Sequence, residues 1–298
     1  VAHVAYVTST VAHGRIRFLS TEAARERPGV LDVVTAADLD IGPYPAVLPD
    51  YPLAVARPLL ARDTVRFVGE PVVAVLADSP EAAADAAEAV VVDYDPLPAV
   101  VDAELALSGE VLLFSDMASN VVLEARGGAD LVDVEASEVV VRATFNSARV
   151  APCPMETRAA ASRWEPDGRL THWSSCQGAH PVRNLLCALH GLDASQVRVI
   201  VPEVGGSFGA KGRPYPEEVL LPWLAARVGR PVIWLPTRMQ DMVGLGHSRV
   251  QVQQVVLGGT RDGLIEALEV RVLADAGAYP LAGPLLARNT GALCAGAY

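Results

Sequence analysis

Chemistry concentrates in one stretch of this chain, Val201-Pro202-Glu203-Val204-Gly205-Gly206-Ser207-Phe208-Gly209-Ala210-Lys211-Gly212, which follows the β-like run Gln196 to Ile200. Glycine has no Cβ and accepts φ > 0, so a loop of this kind lets a backbone approach a ligand closely. Successive free N–H groups in it form a cradle for oxo or phosphate oxygens. The common phosphate motifs do not fit. A Walker loop needs a second Gly directly before the Lys and a Ser or Thr after it. Here Ala210 and Gly212 hold those places. The dinucleotide fingerprint G-x-G-x-x-G also fails on spacing. A glycine-rich surface turn remains the plain alternative on this loop alone.

Lys211 is the single lysine of the chain. It reads as a cation of the cradle or as an exposed side chain, and the sequence leaves both open. Cys153, Cys176, Cys187 and Cys294 are scattered without a C-x-x-C, which argues against zinc or iron–sulfur ligation by this chain. His3, His13, His172, His180, His190 and His247 show no metal-binding spacing, so no direct protein ligand to a metal is expected. Glu156, in Pro154-Met155-Glu156, has the chemistry of a general base, but a structural role is the expectation.

The bulk numbers narrow the class. A length of 298 residues suggests two domains, and 51% hydrophobic with 20% charged residues is a globular composition. A net charge of −11 without a basic run argues against nucleic acid or an anionic membrane as partner. No apolar run reaches the ~18 residues of a membrane span. The scattered cysteines point to a reducing, cytoplasmic setting. Val1 is not Met, and the chain stops in a turn-rich stretch at Ala297-Tyr298, so both ends look cut from a longer polypeptide.

The elements that must carry the loop follow from pattern. Val1–Val7, Val30–Thr35, Pro71–Ala77 and Val90–Tyr94 read as strands and Thr21–Arg27 as a short helix. Ser79-Pro80-Glu81 starts a second helix that runs to Ala89. Ile41–Pro58 is proline-rich and reads as loop. Further on, Arg158–Trp164 and Leu170–Ser174 flank Glu165-Pro166-Asp167-Gly168-Arg169 as a hairpin. Helices are expected over Pro181–Leu189 and Glu217–Val228, and strands over Val197–Val201, Pro231–Leu235, Val250–Leu257 and Leu264–Leu273. The division expected is 1–105, a connection over 106–136 that contains Gly127-Gly128, and a truncated second domain over 137–298.

Several of these segments together resemble one family. Val68-Gly69-Glu70-Pro71-Val72-Val73-Ala74-Val75, Ala82 to Ala89 and Val92 to Val100 resemble the hammerhead α/β domain of the xanthine dehydrogenase and aldehyde oxidase family. Pro154-Met155-Glu156, Trp173-Ser174-Ser175-Cys176-Gln177 and Pro202 to Lys211 resemble the first half of its molybdopterin-binding domain. The resemblance implies an α+β chain: a small hammerhead-like α/β domain, then the first part of a molybdopterin-binding α/β domain.

It also implies a cofactor of molybdenum held by molybdopterin, in the cytosine dinucleotide form, with Fe–S and FAD on partner subunits. The implied assembly is a dimer of heterotrimers with an iron–sulfur subunit and an FAD subunit. The implied reaction hydroxylates an aldehyde or N-heterocycle, or oxidises CO, with water as oxygen source. Gln177 then falls at the catalytic position whose amide hydrogen-bonds an oxygen ligand of molybdenum, a task suited to a donor that does not titrate. Gly205, Gly206, Ser207, Phe208, Gly209 and Lys211 fall at cofactor-binding positions. Arg288 lies near a substrate-binding arginine of some members. Gly212 stands where purine-oxidising members usually carry Glu, which weighs against a purine. The family's catalytic Glu lies outside the matched segments, so this chain alone is expected to be inactive. A non-catalytic relative, with the fold kept as a scaffold or assembly protein, is the alternative.

Overall fold

The computed structural model describes residues 1–48, 50–128 and 133–296. Ala297, Tyr298 and part of the expected connection, 129–132, lie outside them. Among the described residues the strands are β1 (Ala2–Thr8), β2 (Gly14–Ser20), β3 (Val30–Thr35), β4 (Thr64–Val65), β5 (Pro71–Ala77), β6 (Val91–Pro96), β7 (Val139–Val150), β8 (Ala160–Trp164), β9 (Leu170–Ser174), β10 (Val197–Ile200), β11 (Val232–Trp234), β12 (Ser248–Gly259) and β13 (Ile265–Ala274). The helices are α1 (Glu22–Arg25), α2 (Pro80–Glu88), α3 (Ala103–Ser108), α4 (Ala179–His190), α5 (Pro216–Val219), α6 (Leu221–Val228), α7 (Arg238–Gly244) and α8 (Gly283–Leu293). The chain forms two compact units: 1–45, 56–99 and 151–246 in the first; 46–55, 100–150 and 247–298 in the second.

In the first unit a seven-stranded sheet runs in the order β10-β9-β8-β11-β1-β5-β3. β5 is buried along its whole length, as its unbroken apolar run predicts. Its Val72, Val73 and Val75 join Ala24, Val33 and Ala86 in one core. Burying each valine contributes about 1.5–3 kcal/mol. α2 begins as expected: the Ser79 hydroxyl accepts the Ala82 N–H at 3.1 Å, and Pro80 takes the first helical position. β1 is antiparallel to β5, with Val4 beside Leu76, and parallel to β11, with Val4 beside Trp234. The sheet thus unites strands from both sides of the 106–136 connection.

The hairpin forms where predicted, Ala160 opposite Ser174 and Trp164 opposite Leu170. The expected helix Glu217–Val228 is instead two, α5 and α6, meeting at Leu220. Pro222 has no N–H to continue the ladder, so it sits in the first turn of a new helix. In the second unit β7, β12 and β13 form an antiparallel sheet with β12 in the middle.

Candidate functional site at the sheet edge

β9 and β10 are neighbouring parallel strands, with Leu170 beside Val197 and Trp173 beside Ile200. α4 is the crossover between them. Both strands therefore end at one edge of the sheet. The first delivers Ser175, Cys176 and Gln177, and the second delivers the glycine loop. In open α/β sheets the carboxyl ends of parallel strands are where ligands bind.

Hydrogen bonds join the two segments. The Gln177 N–H donates to the Lys211 carbonyl at 3.0 Å. The Ser207 hydroxyl accepts the Lys211 N–H at 3.1 Å and donates to Gln177 Oε1. The Gln177 NH₂ has no acceptor among the described residues. Tight turns close the loop, Ala210 N–H to the Ser207 carbonyl at 2.9 Å and Gly212 N–H to the Gly209 carbonyl at 3.2 Å. From below, the Tyr215 hydroxyl donates to the Ala210 carbonyl at 2.9 Å and accepts the Gly246 N–H at 3.1 Å.

The N–H groups of Gly206, Ser207, Phe208 and Gly209 have no acceptor among the described residues. Gly206, Phe208 and Gly209 have φ of 101°, 52° and 89°. Left-handed residues interspersed in a loop can turn successive amides toward one ligand. Phe208 holds a left-handed φ without being glycine, and the residue is 75% exposed. A Cβ on Gly209 would meet no heavy atom within 4 Å. The loop thus has a donor-lined open side, which a plain turn does not require.

Glu156 is the anchor of the other side. One oxygen, Oε2, accepts from Lys211 Nζ at 2.7 Å, Ser175 Oγ at 2.5 Å and Gly205 N–H at 2.9 Å. The Glu156 N–H returns a bond to the Gly205 carbonyl at 3.1 Å. Partial burial pushes the Glu156 pKa up, but Lys211, Ser175 and Gly205 outweigh it and hold the carboxyl below the usual range. A carboxylate so occupied suits a structural role rather than that of a base. Lys211, with 1% of its side chain exposed, is engaged by Glu156 and Ser175.

Beneath lies a buried ionic layer that sequence reasoning did not single out. Arg158 Nε donates to Asp241 at 2.8 Å, and its guanidinium stacks 4.3 Å from the Tyr215 ring centre. Glu218 accepts from Ser174 Oγ at 3.1 Å and the Tyr215 N–H at 3.0 Å. Burial pushes its pKa up to about 7, against the pull of Arg158. Arg238 donates to the carbonyls of Pro154 and Met155 at 2.8 and 2.7 Å, holding the segment that carries Glu156. Its helix was announced by Thr237-Arg238-Met239-Gln240, a capping box. Arg288 is exposed on α8 of the second unit and takes no part in these bonds. Among the described residues no group of His, Cys, Asp and Glu could hold a metal ion, and no helix is long and apolar enough to cross a membrane.

Two family profiles match the chain: the aldehyde oxidase and xanthine dehydrogenase a/b hammerhead domain over residues 1–98, and the molybdopterin cofactor-binding domain over 113–298. The chain belongs to the molybdopterin-binding aldehyde oxidase and xanthine dehydrogenase family. Within this family it is 35% identical over 283 residues to the nicotine 6-hydroxylase large subunit of Paenarthrobacter nicotinovorans, covering 93% of this chain and 35% of the relative. It is 33% identical over 295 residues to the carbon monoxide dehydrogenase large chain of Afipia carboxidovorans, covering 92% and 36%. The crystal structure of quinoline 2-oxidoreductase from Pseudomonas putida 86 matches with a TM-score of 0.84 and 36% identity, over 93% of this chain and 36% of that one. The chain thus spans about a third of the length of these three family members.

Proposed function

We propose that this chain is the first part of the molybdenum-cofactor subunit of an oxidoreductase. The observation that carries this reading is the row of four unpaired N–H groups, Gly206 to Gly209, beside the free NH₂ of Gln177 at the end of two parallel strands. Neutral, preorganised donors of this kind suit oxygens that gain negative charge during reaction. The residues fit the group: the donors are present, and the open side of Gly209 admits close approach. Gly206, Ser207, Phe208 and Gly209 would hold it through their backbone; Gly205, expected among them, has its N–H and carbonyl both paired with Glu156 and anchors the loop instead, as Lys211 does from its place under it. When bound, the pterin-held molybdenum supplies two-electron oxidation with oxygen transfer. Gln177 would be the catalytic donor, orienting an oxygen without exchanging a proton.

The reaction class is R–H plus water giving R–OH, two protons and two electrons; for CO, water gives CO₂, two protons and two electrons. The electrons would pass to Fe–S and FAD on an iron–sulfur subunit and an FAD subunit, in a dimer of heterotrimers placed in the cytoplasm. The cofactor would carry the cytosine dinucleotide. The domain division 1–105, 106–136 and 137–298 belongs to this reading. Three relatives named for nicotine, quinoline and carbon monoxide support two of the substrate classes considered, N-heterocycle and CO, and aldehyde stays as the third. The test is to purify the full-length protein with its co-expressed partners. Molybdenum and pterin are then measured per chain, and a heterocycle, an aldehyde and CO are assayed with a dye acceptor. About one molybdenum per chain and turnover of one substrate class are expected. A protein that folds and binds neither molybdenum nor pterin overturns the reading and leaves the scaffold alternative.

A further inference from the structure

We infer that Lys211 is a positioning residue: through the Glu156 carboxylate it fixes the donors of Gly206 to Gly209 relative to Gln177. The role toward the cofactor rests on the function proposed above. This one residue makes four ties. Its N–H goes to Ser207, and its carbonyl receives the N–H of Gln177. Its ammonium reaches Glu156 at 2.7 Å and Ser175 at 2.8 Å. Glu156 Oε2 passes the tie on to the Gly205 N–H, the first residue of the cradle, at 2.9 Å. Ser175 closes the ring by donating to the same oxygen. Glu156, the Ser175–Gln177 segment and the loop are three separate stretches of chain, and Lys211 bonds to each of them.

The choice of lysine is itself informative. Of 24 basic residues one is lysine, and the chain uses arginine for its other buried cation sites, Arg57 and Arg158. Arginine presents a planar fork suited to two oxygens at once. At Glu156 three donors converge on a single oxygen, and a compact ammonium with rotatable donors suits the place between that oxygen and Ser175 Oγ better than a planar fork.

The test compares Lys211→Met, Lys211→Arg, Ser175→Ala and the neutral double variant Glu156→Gln/Lys211→Met in the full-length protein. Three quantities are read: the melting temperature, hydrogen exchange over 203–212 in cofactor-free protein, and molybdenum content with turnover in loaded protein. The double variant leaves no unpaired charge, so its melting temperature should return toward wild type. Its exchange should stay at least ~10-fold fast. Its turnover should stay down by up to ~10²-fold, the scale of a displaced catalytic group. Lys211→Arg should not restore either, and Ser175→Ala, which cuts one tie, should fall between. If exchange and turnover recover together with the melting temperature, Lys211 is only structural and the inference is overturned. If wild type binds no molybdenum, the proposed function fails, yet the exchange data still decide whether the clasp orders the loop.

Discussion

Gly205→Ala and Gly209→Ala separate the two faces of the loop. A Cβ on Gly205 would lie 2.7 Å from the Glu156 Cβ and 3.5 Å from its backbone nitrogen. Carbon atoms settle at about 3.5–4.0 Å, so the loop and the Glu156 segment must part by roughly 1 Å. The two bonds between them, 2.9 and 3.1 Å, then stretch past hydrogen-bonding distance. Overpacking costs about 1–3 kcal/mol and each lost bond about 1, and relaxation returns some of this. A net loss of about 2–4 kcal/mol is expected, which lowers the melting temperature by roughly 5–15 °C. Gly209 has no neighbour within 4 Å, so Ala there costs only its left-handed φ, about 1–2 kcal/mol. Its methyl group stands on the open side, so molybdenum content should fall although the fold survives. Calorimetry and metal analysis on both full-length variants check this. A Gly205→Ala protein that melts with wild type, or a Gly209→Ala protein that is the less stable of the two, refutes the geometry.

Three further outcomes are expected. Gln177→Ala should keep its metal and its melting temperature while turnover drops by up to ~10²-fold, the scale of a lost oxyanion donor; unchanged turnover would remove Gln177 from the reaction. Arg158→Met should cost about 3–5 kcal/mol, because Asp241 and Glu217 lose the guanidinium buried between them; a loss under about 1 kcal/mol in denaturant titration would show the layer to be unimportant. Glu218 is raised by burial to about 7, so the folded state binds a proton that the unfolded chain has already released. Wild type should therefore lose stability as pH rises from the ordinary carboxylate range toward 7, whereas Glu218→Gln should lack that slope; parallel stability–pH curves for the two would contradict it.

Local signals in the chain revealed local structure. The apolar run of β5, the Ser79-Pro80 start of α2 and the Asp167-Gly168 hairpin each depend on neighbours in sequence, and each formed. β2 escaped notice because its alternation mixes Arg15 and Arg17 with Ile16 and Phe18, and much of it is exposed. α8, with Gly283-Pro284 at its start and Gly291 inside, has weak helical propensity and depends on packing against its neighbours. In the candidate site the glycine loop and Gln177 were visible as types and order. The burial of Lys211 was not, because its partners Glu156 and Ser175 are 55 and 36 positions away. No periodicity encodes a tie of that length.

The parallel pairing of β1 with β11 has a consequence for synthesis. Val4 finds Leu76 early, but its other neighbour, Trp234, leaves the ribosome about 230 residues later. At about 5–20 residues per second that is a wait of roughly 10–50 s. Throughout it, β1 presents one open strand edge, a template for pairing with a second nascent chain. The early segment is therefore the point at which a chaperone would be needed, and an expression host that translates the middle of the message slowly should yield more aggregate than one that translates it fast.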